Sequence, residues 1–320
     1  MIVKSLLFLS LFYSFIGFNL FSQKVDDRLA SFNSREDIST AVASNLNGNF
    51  LEIKKNSSVK TDPSKLYINS KYYGLFDQES GEFLVGKESE AKTPIASTTK
   101  IMTAVIALEN YNLYDIVSVP IEATSQTPTV VNLRQNEKIS INELLHCLLI
   151  KSGNDAAYTI ATNMDKSENP NFKQFVLKMN EKAKELNMTN TYFYDPAGLD
   201  DNGYSSARDL SIITRYALKN PIFKQIVQTE EYMATNTTKT VSHYLENSNR
   251  LVTTYNYPGA IGVKTGFTYA ASHCLVAAAE RNDHGLIAII LSTYADTPTA
   301  SADEARKLLD WGFANVTWPD

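Results

Sequence analysis

Thr93-Pro-Ile-Ala-Ser-Thr-Thr-Lys-Ile-Met-Thr-Ala-Val-Ile-Ala-Leu108 is the stretch on which the fold turns. From Ile101 onward it is apolar on nearly every side of a 3.6-residue period. That is the pattern of a helix buried all round rather than laid on a surface. At its mouth stand Ser97 and Lys100, three residues apart, so on a helical turn they share a face. The stretch therefore predicts a central core helix with a hydroxyl and an amine held together at its N-terminus.

Working outward from it, Leu66 to Phe76 reads as a strand, Gln78-Glu-Ser-Gly81 as a turn and Glu82 to Val85 as a second strand, which makes a hairpin. Downstream, Ser140-Ile-Asn-Glu143 is a capping box that opens a helix through Leu149. Asn169-Pro170 starts another, to about Leu186, and Ser206-Ala-Arg-Asp209 a third. After about residue 220 the chain reads as strand again: Tyr257 to Tyr269, Ser272 to Ala279 and Leu286 to Tyr294. A last helix opens at Ser301-Ala-Asp-Glu304 and ends near Phe313. Strands, helices, strands and a closing helix imply an α/β (α+β) fold. Its antiparallel sheet is built from both ends of the chain and flanked by helices, with an all-helical lobe inserted over about 106–220.

The ends and the composition bound the function. Residues 1–22 carry one charge, Lys4, followed by an apolar run and then Lys24, Asp26, Asp27 and Arg28. This is the layout of an export signal. Leu20-Phe21-Ser22 lacks the small residue usual three positions before a cut, so an uncleaved membrane anchor is the alternative to a cleaved signal peptide. Either way the body of the protein lies outside the cytoplasmic membrane, in the periplasm or on the cell-wall face. Residues 23–64 read as a polar spacer and 65–316 as the catalytic domain, with order beginning near Leu66. The 15 Phe and 17 Tyr supply ample apolar surface, which excludes disorder over most of the chain, and a net charge of −5 excludes nucleic acid as the main partner. Cys147 and Cys274 lie in apolar runs and read as buried free thiols.

Three short motifs stand in order: Ser97-Thr-Thr-Lys100, Ser152-Gly-Asn154 and Lys264-Thr-Gly266. Similar triplets at Ser57-Ser-Val-Lys60 and Ser31-Phe-Asn33 fall in the polar spacer, with no helix to hold them. The three motifs have context instead. Ser97 and Lys100 open the buried helix, Ser152 follows a capped helix at a glycine break, and Lys264-Thr-Gly266 lies on a strand. There, alternation sends Lys264 and Gly266 to one face and Thr265 to the other. The set suits acyl transfer. A serine hydroxyl needs an adjacent base, and a lysine can serve when burial and a second cation lower its pKa. Lys100 on a buried helix, facing Lys264, would meet both conditions. Ser152 can pass a proton to a leaving amine, Asn154 can hold Lys100 and the substrate amide, and Lys264 offers a cation for a carboxylate. The backbone N–H groups of Ser97 and Phe267 are the candidate oxyanion hole.

These motifs resemble the set of the serine-type D-Ala-D-Ala carboxypeptidases, the low-molecular-mass penicillin-binding proteins with a DD-peptidase/β-lactamase-like fold. The resemblance extends to Pro94–Ala104, to Leu148-Leu-Ile-Lys-Ser-Gly-Asn-Asp-Ala-Ala157, to Asp195-Pro-Ala-Gly-Leu199 with Tyr204–Leu210, to Gly262–Thr268 and to Leu308–Phe313. It covers about residues 65–315. It implies a stem peptide of peptidoglycan ending in D-Ala-D-Ala as substrate and β-lactams as covalent inhibitors, with no cofactor. By the same resemblance Ser97 is the nucleophile, Lys100 the general base, Ser152 the proton relay and Asn154 a positioning residue. Lys264 and Thr265 of the Lys264-Thr265-Gly266 motif bind the terminal carboxylate. Two departures stand out. Phe267 follows Lys-Thr-Gly where some relatives have His. Leu291-Ser-Thr-Tyr-Ala-Asp296 has no Arg where some relatives use one for the carboxylate.

Alternative readings weaken on inspection. No Glu between Ser152 and Lys264 is followed four positions on by Asn, so a β-lactamase deacylation segment is missing. His146, His243, His273 and His284 show no metal spacing, which argues against a zinc peptidase. Arg208 and Asp209 read as structural, Asp155 as a helix-start charge and Glu230-Glu231 as a solvated face. The sequence therefore predicts an exported D,D-carboxypeptidase. A D,D-endopeptidase cutting cross-links, or a non-catalytic wall-binding scaffold, are the alternatives.

Overall fold

In a computed structural model, which describes residues 58–59 and 65–318, the chain begins with the two-residue β1 (Ser58–Val59). The expected signal segment and nearly all of the spacer lie outside the described residues. β2 (Ser70–Asp77) and β3 (Phe83–Lys87) form the predicted hairpin. Asp77 fixes its turn by accepting bonds from Ser80 N and Ser80 Oγ, both at 2.7 Å. A 3₁₀ turn, Ala96–Thr99, then runs straight into α1 (Lys100–Asn110), whose residues from Lys100 to Ala107 are all buried.

The segment that follows is mostly helical. β4 (Ile116–Ser118), α2 (Ile121–Thr124) and β5 (Lys138–Ser140) lead to α3 (Ile141–Leu149), and β4 pairs with β5. Ser140 Oγ caps α3 by accepting from Glu143 N at 3.2 Å. Glu143 does not return the bond; its carboxylate takes Tyr232 OH and Thr235 N instead, both at 2.9 Å. α4 (Asn154–Thr162), α5 (Lys173–Glu185) and α6 (Ala207–Leu218) follow. α5 begins after Asn169-Pro170 rather than at it, because the Asp165 carboxylate claims Asn171 N at 3.1 Å and holds a loop there. α6 carries the predicted Ser206 cap and packs on the sheet, against β10 and β2 defined below.

Beyond residue 220 the structure departs from the strand reading. α7 (Pro221–Gln228) intervenes, with Asn220 Oδ1 accepting from Ile222 N at 2.9 Å and Pro221 in the first turn. The polar stretch after it is a hairpin, β6 (Glu231–Thr235) with β7 (Ser242–Glu246). β8 (Ala260–Thr268), β9 (Ser272–Arg281) and β10 (His284–Thr293) are the predicted strands, and α8 (Ala300–Asn315) the predicted closing helix. The helix opens at Ala300, one residue before the expected Ser301. Thr299 holds the N-cap position, Ser301 lies inside the helix, and buried Glu304 accepts from Asn69 N at 2.9 Å. β11 (Val316–Thr317) pairs with β1.

The main sheet is five-stranded and antiparallel, in the order β3-β2-β10-β9-β8. Both faces of its centre are buried, so β9 and β10 read as unbroken apolar runs. Leu275, Ala277, Leu286, Ala288 and Ile290 face Leu308 and Leu309 of α8. Val276, Ala278, Ile287, Ile289 and Leu291 join the larger core that includes α1, α3 and α4. Cys147 and Cys274 are buried free thiols, and burial pushes the Cys274 thiol up to about 12. β8 lies at the edge of the sheet, beside the Ala96–Thr99 turn.

Candidate active site

Four pieces of chain meet where β8 reaches the 3₁₀ turn. The turn supplies Ser97, half-buried, and α1 begins with Lys100, whose side chain is fully buried. Burying an ammonium is costly unless each N–H finds an acceptor, and here all three do. Lys100 Nζ lies 2.8 Å from Ser97 Oγ, 2.7 Å from Asn154 Oδ1 and 2.8 Å from the carbonyl oxygen of Ala197. Burial lowers the Lys100 pKa to about 7, against the opposing pull of the Asp195 and Asp155 carboxylates.

Each partner is held by its own local structure. Asn154 is the first residue of α4, and its N–H donates to Thr129 O at 2.8 Å. The next residue, Asp155, does more than start a helix. Its carboxylate accepts from Val131 N, Leu133 N and Ala156 N and so ties the 131–133 loop to α4. Ala197 is presented by a loop wound around the buried Asp195 carboxylate. Its two oxygens accept the N–H groups of Ala197, Gly198, Leu199 and Asp200 at 2.6 to 2.9 Å. Gly198 is required there. With φ +75° it sits so close to the Ala96 carbonyl that a Cβ would lie 1.9 Å from that oxygen. Ser152, in the turn between α3 and α4, has φ +67° and is buried. Among the described residues it makes no hydrogen bond to Ser97 or Lys100.

β8 closes the site. A Cβ on Gly266 would come within 3.1 Å of Ser97 N and 3.0 Å of Ile95 O, so the strand lies against the backbone of the 3₁₀ turn. Lys264 is buried on the same face of the strand. Its Nζ donates to Thr265 O at 3.0 Å and, among the described residues, faces no carboxylate. Burial, then the charge of Lys100, hold its pKa well below the ordinary lysine range. Thr265 is half-buried, and its Oγ1 lies 2.7 Å from Ser248 Oγ. Phe267 is 46% exposed, against His273 and Tyr269.

The structure thus joins Ser97, Lys100 and Asn154 by direct bonds and brings Gly266 against Ser97, with Lys264 buried near Lys100. Sequence reading missed Ala197 and Asp195. A backbone carbonyl leaves no residue signal, though the Asp-Pro-Ala-Gly run marked the loop. Arg208 and Asp209 are structural: Arg208 pairs with Glu90, and Asp209 accepts from Asn190 N and Thr191 Oγ1, both at 2.7 Å. Buried His243 bridges Val131 O and Glu137.

A buried lysine bonded to a serine three residues before it, with an asparagine and a lysine from two other motifs, is the arrangement these motifs predict. Residues 58–295 match the family described as D-alanyl-D-alanine carboxypeptidase. The chain belongs to that family. By membership it is a serine-type carboxypeptidase, a hydrolase of the cell wall. The chain is 36% identical over 258 residues to D-alanyl-D-alanine carboxypeptidase DacF of Bacillus subtilis, a match covering 78% of this chain and 64% of that one. It is 31% identical to a D-alanyl-D-alanine endopeptidase of Escherichia coli, over 80% of this chain and 82% of that one. Its fold is that of the Streptomyces K15 DD-transpeptidase crystal structure, with a TM-score of 0.72 and 32% identity, over 78% of this chain and 98% of that one. This carboxypeptidase-family chain therefore has the family's fold as well as its motifs.

Proposed function

We propose that the protein is an exported serine D,D-carboxypeptidase that removes the terminal D-Ala from peptidoglycan stem pentapeptides through an acyl-enzyme on Ser97. The observation that carries this reading is the set of bonds around Lys100 Nζ. Asn154 Oδ1 and the Ala197 carbonyl can only accept. When Lys100 is neutral it keeps two N–H groups for them, and its lone pair is left facing Ser97 Oγ. Ser97 is then the one partner that can hand Lys100 a proton. A pKa near 7 leaves much of Lys100 able to take it at neutral pH.

The steps follow. Ser97 Oγ gives its proton to Lys100 and attacks the carbonyl of the penultimate D-Ala. The backbone N–H groups of Ser97 and Phe267 hold the oxyanion, in keeping with the contact of Gly266 against Ser97 N. Lys100 returns that proton through the Ser152 hydroxyl to the leaving nitrogen, the C–N bond breaks and D-Ala departs, leaving Lys100 neutral. Water then gives a proton to Lys100 and attacks the acyl-Ser97 ester, the ester C–O bond breaks, the proton returns to Ser97 Oγ, and the shortened peptide is freed. Lys264 and Thr265 receive the terminal carboxylate, and Asn154 positions Lys100. A β-lactam offers Ser97 a strained amide and acylates it by the same first step. The charge layout of residues 1–28 supports export, as a cleaved signal peptide or a membrane anchor. Among the described residues no helix is long and apolar enough to cross a membrane.

The test is D-Ala release from a short peptide ending in Lys-D-Ala-D-Ala, with the protein and its Ser97→Ala variant. Release that vanishes in the variant supports the reading; no release from folded protein overturns it. Relatives named endopeptidases, such as that of Escherichia coli, favour a second reading in which the same serine cuts cross-links. A cross-linked muropeptide dimer tests it alongside.

A further inference from the structure

The carboxylate end of this site is short of charge. Lys264 is its one buried cation among the described residues, apart from Lys100, and Leu291–Asp296 brings no arginine. What stands beside Thr265 instead is Ser248, whose Oγ lies 2.7 Å from Thr265 Oγ1. This contact is built into the fold. Ser248 sits between two buried asparagines that pin the backbone on either side. Asn247 Nδ2 donates to Val227 O and Thr229 O at 3.1 and 2.9 Å, and its Oδ1 accepts from Asn249 N. Asn249 Oδ1 accepts from Leu251 N at 3.0 Å. Ser248 N donates to Ile150 O, two residues before Ser152. Three tethers thus hold one exposed serine against the hydroxyl of the Lys-Thr-Gly motif. Arg250, two residues on, directs its Nε to Pro298 O.

We propose that Ser248 is a substrate-binding residue: its hydroxyl and that of Thr265 form a pair of donors that takes the terminal carboxylate of the substrate. This rests on the functional reading above and adds a residue to it. Without substrate the two hydroxyls satisfy each other. A carboxylate brings several acceptor sites and no donor, so both hydroxyls turn to it and Lys264 supplies the charge. Neutral donors replace the guanidinium that would otherwise serve.

A contact made equally in ground and transition state alters KM and leaves kcat alone. The experiment uses the full-length protein with two substrates. One is a peptide ending in Lys-D-Ala-D-Ala. The other is the same acyl-D-Ala unit as an ethyl thioester, whose leaving group has no carboxylate. Ser248→Ala is expected to raise KM about tenfold on the first, the scale of one hydrogen bond to a charged group, with kcat within about twofold. On the thioester it should change neither constant. Ser248→Thr should restore the peptide KM, and Arg250→Ala should leave it unchanged. Equal loss on both substrates, an unchanged peptide KM for Ser248→Ala, or a tenfold rise for Arg250→Ala would each overturn the assignment while leaving the carboxypeptidase reading intact. Wild type inert to both substrates would overturn that reading and this assignment with it.

Discussion

Lys100 and Lys264 are both buried and both carry lowered pKa values, yet their surroundings differ. Lys100 has three acceptors and two carboxylates nearby, which limit the fall to about 7. Lys264 has one carbonyl acceptor and a like charge beside it. In the proposed reaction the first works when neutral and the second when charged. Acylation of Ser97 by an uncharged thioester should therefore rise with pH through a midpoint near 7 and level off about one unit above it. Stopped-flow rates from pH 5.5 to 9 check this, and a flat profile or a midpoint near 10 would sink the base assignment. Lys100→Arg, always protonated, should lower that rate by about 10²–10⁴-fold. A bound carboxylate favours the charged form of Lys264. Binding of an anionic β-lactam to Ser97→Ala at pH 8 should then take up protons. Calorimetry in buffers of different ionisation enthalpy measures that uptake; proton release would contradict it.

At the scale of elements, the Asp195–Asp200 loop is the piece whose loss should be most telling. Asp195→Ala strips four backbone N–H groups of their acceptor and frees the carbonyl that holds Lys100. We expect a stability loss of about 3 kcal/mol and, where the variant is still folded, a fall in kcat well beyond the folded fraction. Urea unfolding and D-Ala release measure the two separately; wild-type kcat in the folded variant would show that the Ala197 carbonyl is dispensable. This loop also shows how far sequence reading reaches. The motif residues were legible because strand alternation and the i, i+3 rule place Lys264, Ser97 and Lys100 without any knowledge of the fold. Ala197 acts through its backbone, and Ser248 through a neighbour 17 residues away, so neither carries a local pattern. Element starts misled in a parallel way. Asn169-Pro170 and Asn220-Pro221 are the same dipeptide, yet only the second opens a helix. After it Phe223, Ile226 and Val227 bury one face, whereas after the first Asp165 holds Asn171 in a loop. Packing chose between two equal local signals.

Among the described residues the sheet separates two cores, and one of them, not the other, touches the chemistry. Every proposed catalytic group lies at β8 or on the side of α1, α3 and α4, while α8 covers the opposite face through Leu308 and Leu309. Leu308 is fully buried against the face formed by Leu275, Ala277, Leu286 and Ala288. Cutting it to Ala removes three carbons from a close-packed layer and leaves a cavity, at a cost of about 2–5 kcal/mol. For a domain of this size that corresponds to a fall in Tm of roughly 5–15 °C. The sheet stands between the cavity and Ser97, and its β9 and β10 backbones are fixed by hydrogen bonds to strands on both sides. The folded variant should then keep its kcat/KM for D-Ala release within about twofold at 20 °C. Calorimetry and steady-state kinetics on one preparation test both halves. A drop in kcat/KM that matches the drop in stability would mean that the two faces are coupled through the strands, and that the α8 layer helps to set the position of β8 against the Ser97 turn.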